Sequence, residues 1–131
     1  MNVLIDTQII LHVLFDKRRL SKKEKDILLN QDNEIFCSSI SFFEISLKYS
    51  IGKLKLKNVT PEEIPQLMIN AGYVIEDVGY DSLSTFHKLP IATHKDPFDR
   101  IIIWEAIKKD YFLLTQDKQF EKYSKYGLEL L

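Results

Sequence analysis

Asp6, Glu44, Asp99 and Asp117 lie far apart in this chain of 131 residues, yet each falls near the end of an apolar run or at the head of a helix. Asp6 follows Val3-Leu4-Ile5, and Glu44 comes within a turn or so of Glu34–Cys37. Asp117 follows Phe112-Leu113-Leu114-Thr115 by one residue, and Asp99 opens the segment that leads into that run. Ligands of open α/β sheets bind beyond the carboxyl ends of the strands, so four acids would meet at one rim. Clustered anions repel one another unless a hard divalent cation sits among them, and Mg2+ or Mn2+ favours oxygen ligands. Such a centre lowers the pKa of water and stabilises both oxygens of an in-line phosphoryl displacement. In that arrangement Asp6, Asp99 and Asp117 are direct or water-mediated ligands. Glu44 completes the shell or orients the attacking water. The three histidines, His12, His87 and His94, have no zinc-like spacing.

Each acid taken singly also reads as a helix cap, because helix N-termini offer unpaired N–H donors and a positive dipole end. Asp6 can cap a helix starting at Thr7. Asp96-Pro97-Phe98-Asp99 has the order of a cap, a first-turn proline and a capping-box acid. Ser41-Phe42-Phe43-Glu44 has capping-box spacing too, Glu44 can pair with Lys48 one turn on, and Asp117 can cap a last short helix. Capping accepts Ser, Thr, Asn or Asp; it does not ask for acids at a shared sheet edge.

The elements that must position these residues alternate in type. Strands are expected at Val3–Ile5, Glu34–Cys37, Tyr73–Val78, Tyr111–Thr115 and Leu128–Leu131. Helices are expected over about 7–15, 21–30, 41–51, 60–72, 81–87, 97–109 and 118–123. Ser21 with Glu24 opens the second helix, Gly52 stops the third, and Thr60-Pro61 and Gly72 bracket the fourth. This alternation predicts a three-layer α/β/α domain over residues 1–131, with a central, mostly parallel sheet of about five strands.

Composition bounds the function. The apolar fraction of 45% and charged fraction of 28% are ordinary globular values, and 131 residues suffice for a core without a disulfide or structural metal. A net charge of −1 excludes binding to polyanions by bulk charge while permitting a local basic patch. The single Cys37, the absence of a basic and apolar leader at Met1–Asp6, and the lack of any membrane-length apolar run lead to the expectation of a cytoplasmic protein with no membrane contact.

Taken in order, Leu4-Ile5-Asp6-Thr7, Phe43-Glu44-Ile45-Ser46-Leu47-Lys48 with Gly52-Lys53-Leu54, His94-Lys95-Asp96-Pro97-Phe98-Asp99-Arg100 and Leu113-Leu114-Thr115-Gln116-Asp117 resemble the PIN domain, in the branch that holds VapC-type toxins. The resemblance covers essentially the whole chain, and its most specific piece is His94–Arg100. It implies an Mg2+- or Mn2+-dependent endoribonuclease, the toxin of a type II toxin–antitoxin pair. Asp6, Glu44, Asp99 and Asp117 stand at the family's acidic positions. The implied partners are an RNA substrate and a small antitoxin protein. Asp96 matches a branch feature and reads better as a cap than as a primary ligand. Phe43 stands where the branch often has Trp, Gln8 where it often has His or another polar residue, and Trp104-Glu105 interrupts a small-residue pattern. These departures bear on substrate and partner, not on the carboxylates.

Thr7, Thr115 and Arg100 are secondary candidates, able to hydrogen-bond an acid or a phosphate. Lys17, Arg18, Arg19, Lys22, Lys23 and Lys25 form a basic run in which Lys22 and Lys23 are candidate RNA contacts, with a solvated helix face as the alternative. The apolar helix Phe98–Ile107 is either buried against the sheet or partly a homodimer surface, and Phe42-Phe43 with Ile45 and Leu47 is either core or a groove for an antitoxin helix. A signalling receiver would need adjacent acids after the first strand, but Asp6 is followed by Thr7; a phosphatase acid pair fails at Gln8. A PIN-like RNA- or protein-binding module without turnover is the remaining alternative.

Overall fold

The computed structural model describes residues 1–91 and 95–131, so His94 lies outside the described residues. The strands are β1 (Asn2–Ile5), β2 (Glu34–Ser38), β3 (Val74–Glu76), β4 (Phe112–Leu114) and β5 (Glu129–Leu130), in spatial order β3-β2-β1-β4-β5. Every neighbouring pair is parallel, so the sheet is wholly rather than mostly parallel. Ile5 lies opposite Cys37 on one side and Leu114 on the other, which aligns the carboxyl ends of the three central strands.

The two-residue period of a strand divides its side chains between two cores. Val3, Ile5, Ile35, Cys37 and Leu114 face a cluster with Ile9, Ile10, Val13, Ile45, Ile64 and Met68, carried by α1 (Thr7–Phe15), α3 (Ser39–Ser50) and α4 (Ile64–Asn70). Leu4, Phe36 and Leu113 face the opposite cluster, filled by Ile102, Ile103 and Ala106 of α6 (Pro97–Lys109) with Phe120, Tyr123 and Leu128. Helices therefore cover both faces of the sheet in three layers. α2 (Lys22–Leu29) adds Ile27 and Leu28 to the first cluster, and α5 (Tyr80–Thr85) flanks α6, where the Trp104 indole N–H donates to Thr85 Oγ1 at 3.1 Å. No helix among the described residues is long and apolar enough to cross a membrane.

Several boundaries differ from expectation, and four of the differences have a visible local pattern. α3 begins at Ser39, with Ser38 rather than Ser41 accepting the cap bond, from Ile40 N–H at 3.2 Å. β3 is shorter than Tyr73–Val78 because its flanks bond elsewhere: Tyr73 N–H closes α4 on Met68 O, and Val78 N–H donates to Ser39 Oγ. The segment after Thr60 starts as a 3-10 turn, Pro61–Glu63, and becomes α-helical only at Ile64. The final helix is a 3-10 helix running on to Tyr126, and its Phe120 and Tyr123 are buried at the three-residue spacing that eclipses side chains in that geometry.

Candidate active site

Asp6 leaves the end of β1 and caps α1. Its Oδ1 accepts from Ile9 N–H at 3.0 Å, and its Oδ2 accepts from Thr115 Oγ1 at 2.5 Å. Thr115, just past β4, in turn accepts from Asp117 N–H at 3.0 Å. Asp117 caps the last helix through Gln119 N–H at 2.9 Å. Asp96 caps α6 by accepting from Phe98 and Asp99 N–H at 2.8 and 3.3 Å, which sets the first turn from which Asp99 projects. Capping and convergence thus coexist: the backbone donors that satisfy these acids also aim them at one edge of the sheet.

Glu44 arrives differently. Because α3 starts two residues earlier than expected, Glu44 is the sixth helical residue and not a capping-box acid. It is buried, and its Oε2 accepts from Lys48 Nζ at 2.5 Å, one turn on. Ser41, freed from the capping role, accepts from Thr7 Oγ1 at 2.9 Å and ties α3 to the start of α1.

The outcome is a pocket of about 490 Å3 lined by Asp6, Glu44, Asp96, Asp99 and Asp117, with Lys48, Lys53, Gln8 and Gln116 completing the polar wall. Burial pushes Asp99 up to about 7, helped by the charges of Asp96, Glu44, Asp6 and Asp117. Asp6 is raised to about 6, again mainly by burial and against the pull of its Thr115 and Ile9 hydrogen bonds, with Glu44 and Asp117 adding repulsion. Desolvation pulls Lys48 down, but Glu44, Asp96 and Asp99 outweigh it and leave the amine above its ordinary value. A carboxylate ring held partly out of water and repelling itself favours positive charge at its centre.

The donor set suits a hard cation. The acids present only oxygen to the pocket, and among the described residues no His or Cys lines it. Glu44 Oε1 is buried without a hydrogen-bond partner among the described residues, an acceptor able to take an ion or an ordered water. The acids surround the space rather than closing on a point, and among the described residues no three His, Cys, Asp or Glu side chains form a ready chelate. By the chemistry of their oxygen donors these residues fit a divalent ion.

The other candidates distribute unevenly. Thr115 bonds Asp6 directly, whereas Thr7 spends its hydroxyl on Ser41. Arg100 is buried off the pocket, donating to Leu89 O at 2.8 Å with its guanidinium 4.7 Å from the Phe86 ring centroid. Lys22 and Lys23 border a separate shallow depression with Met1 and Asn33, and Lys22 pairs with Asp26 at 3.0 Å. Lys53 and Gln116 stand inside segments read in the sequence, Gly52-Lys53-Leu54 and Leu113–Asp117, but are given no role there. An exposed lysine after a helix-stopping glycine and an amide beside Asp117 carry no signal of their own without the fold.

The PIN domain family model matches residues 3–126. No curated protein matches the chain. Among solved structures, the chain is similar to VapBC2 from Rickettsia felis bound to a promoter DNA fragment, at 22% identity and TM-score 0.71, covering 100% of this chain and 98% of that one. VapBC from Salmonella typhimurium, bound to DNA, is 15% identical with TM-score 0.65, covering 100% and 97%. VapBC-1 from nontypeable Haemophilus influenzae is 16% identical with TM-score 0.63, also covering 100% and 97%. At these identities the likeness is one of fold.

Proposed function

This chain belongs to the PIN domain family, and on that premise we propose that it is an Mg2+- or Mn2+-dependent endoribonuclease, the toxin of a type II toxin–antitoxin pair. PIN domains are in general nucleases, which sets the coarse class as hydrolysis. The observation that carries the finer reading is the meeting of acids from the end of β1, α3, α6 and the segment after β4 around one pocket, where each offers carboxylate oxygen.

In this reading Asp6, Asp99 and Asp117 hold the ion, and Glu44 completes the shell or orients the attacking water. The ion, when bound, lowers the pKa of water and neutralises charge on an in-line phosphoryl displacement. The chain's own part is to fix the acids around the pocket. Thr115 locks Asp6 against the segment that bears Asp117, Asp96 holds the turn that presents Asp99, and Lys48 pairs with Glu44 at the pocket wall. Asp96 and Thr115 are thus positioning residues, while Thr7 supports the pocket through Ser41 and Arg100 braces the segment leading to α6.

The partner follows by extension from the VapBC structures of like fold: a small antitoxin that keeps the nuclease inactive, with a homodimer as a second assembly. Purified protein incubated with total cellular RNA and Mg2+, Mn2+ or EDTA, beside Asp99→Asn, tests the enzyme. Discrete fragments that need the metal and vanish in the variant are expected. Equal cleavage by the Asp99→Asn protein would refute the assigned site. No cleavage together with no metal binding would turn the assignment to a PIN-like binding module without turnover.

A further inference from the structure

The pocket that would cut a polyanion is itself anionic: five carboxylates line it against two lysines. A nucleic-acid strand approaching such a rim is repelled unless fixed cations hold its phosphates on either side of the cleaved bond. Most of the polar wall is already committed. Lys48 is paired with Glu44, the Gln8 amide contacts His12 Nε2 at 3.0 Å, and Gln116 donates to Arg19 O and Glu24 Oε1, both at 2.8 Å.

Lys53 is exposed, and of the two lysines on the wall it is the one without an ion pair among the described residues. Its place is built by the backbone. Gly52 ends α3 in the left-handed region at φ +76°, a conformation costly for any residue with a Cβ. The chain then doubles back so that Lys53 N–H and Leu54 N–H both donate to Lys48 O, at 2.8 and 3.2 Å. Leu54 packs against the first core cluster and pins the turn. A lysine held by a glycine reversal and an apolar anchor is thereby fixed at the wall of the acidic pocket, its amine uncommitted.

We infer that Lys53 is the phosphate-binding residue of this site, contacting a non-bridging oxygen of single-stranded RNA next to the bond to be cut, while Lys48 serves Glu44. The assignment rests on the nuclease reading and adds to it the residue that receives the substrate backbone. One phosphate contact on a single strand releases about 0.7 of a counterion, which at 0.1 M salt is worth about five-fold in affinity.

The test is fluorescence anisotropy with a labelled mixed-sequence single-stranded oligoribonucleotide, in an Asp99→Asn background so that the probe survives, across a salt series. Lys53→Gln is expected to weaken binding about five-fold at 0.1 M salt and to reduce the slope of log Kd against log salt by about 0.7. Lys53→Arg is expected to restore both, and Lys22→Gln and Lys23→Gln to leave the slope unchanged. RNA binding with a slope indifferent to Lys53, or one that moves with Lys22 or Lys23 instead, would overturn the Lys53 assignment and leave the nuclease reading standing. No binding of the probe in any variant, even at low salt, would overturn both.

Discussion

Glu105 offers a sharp test of how this fold holds charge. It sits on α6 with 1% of its surface exposed, its Oε1 accepting from Ser38 Oγ at 2.5 Å and its Oε2 buried without a partner among the described residues. Burial raises its pKa from 4.5 to about 7, against the opposing pull of Ser38 and Lys109, with Glu76 adding to the rise. A raised acid destabilises the fold once ionised. Below pH 4.5 both folded and unfolded chains carry the proton and nothing is lost. Between pH 4.5 and 7 the unfolded chain ionises first, so the folded state binds more protons and stability falls as pH rises. At 1.36 kcal/mol per unit the full loss is about 3 kcal/mol above pH 7. Glu105→Gln removes the titration while retaining an acceptor for Ser38. Its buried amide N–H2 shifts stability by a constant amount, so the diagnostic quantity is the difference between variant and parent as a function of pH. Urea unfolding at pH 4 and pH 8 is expected to show that difference moving by about 3 kcal/mol in the variant's favour as pH rises. A difference that stays flat across this range would refute the claim that Glu105 is a buried, proton-holding carboxyl.

Further outcomes follow from the same physics. Asp99 is raised to about 7 by burial and neighbouring acids, so metal-free Asp99→Asn should unfold at higher urea than the parent at pH 8 and lose that advantage near pH 4, measured by the same titration. Mn2+ should raise Tm at pH 7.5 and raise it less at pH 5.5, because protons then compete for Asp6 and Asp99; an equal gain at both pH values would contradict an ion held by those acids. Ile103 of α6 is fully buried against the sheet, and Ile103→Ala should cost about 2–5 kcal/mol of unfolding free energy. Gly52→Ala should cost about 1–2 kcal/mol because its φ is +76°, checked by urea unfolding.

Much of the site was readable because two separate rules pointed at the same residues. Strand ends locate ligand sites and helix starts attract acids, and Asp6 and Asp117 satisfy both at once, each capping a helix while lining the pocket. Glu44 follows from its place within a turn or so of the end of β2, and it is the competing capping-box reading that fails. Its spacing from Ser41 mimics a capping box, but Ser38 takes the cap because β2 runs directly into α3, and Ser41 is turned to Thr7. The last helix was shortened because Phe120, Tyr123 and Tyr126 repeat every three residues, a period suited to 3-10 and not to α geometry. Lys53 depends on a chain reversal whose direction only the packed Leu54 decides, and Arg100 could not be told from a phosphate ligand until the Phe86 ring was seen beneath it. Side chains whose role is set by backbone hydrogen bonds near in sequence were legible; those set by tertiary neighbours were not.

Calorimetric titration of the purified protein with Mn2+ at pH 7.5, beside Asp6→Asn and Asp99→Asn, measures most directly whether the carboxylate rim is a cation centre. The parent is expected to bind saturably, and each variant to lose that binding while remaining folded by circular dichroism. Undetectable binding in the parent, or binding unchanged in both variants, would contradict the account.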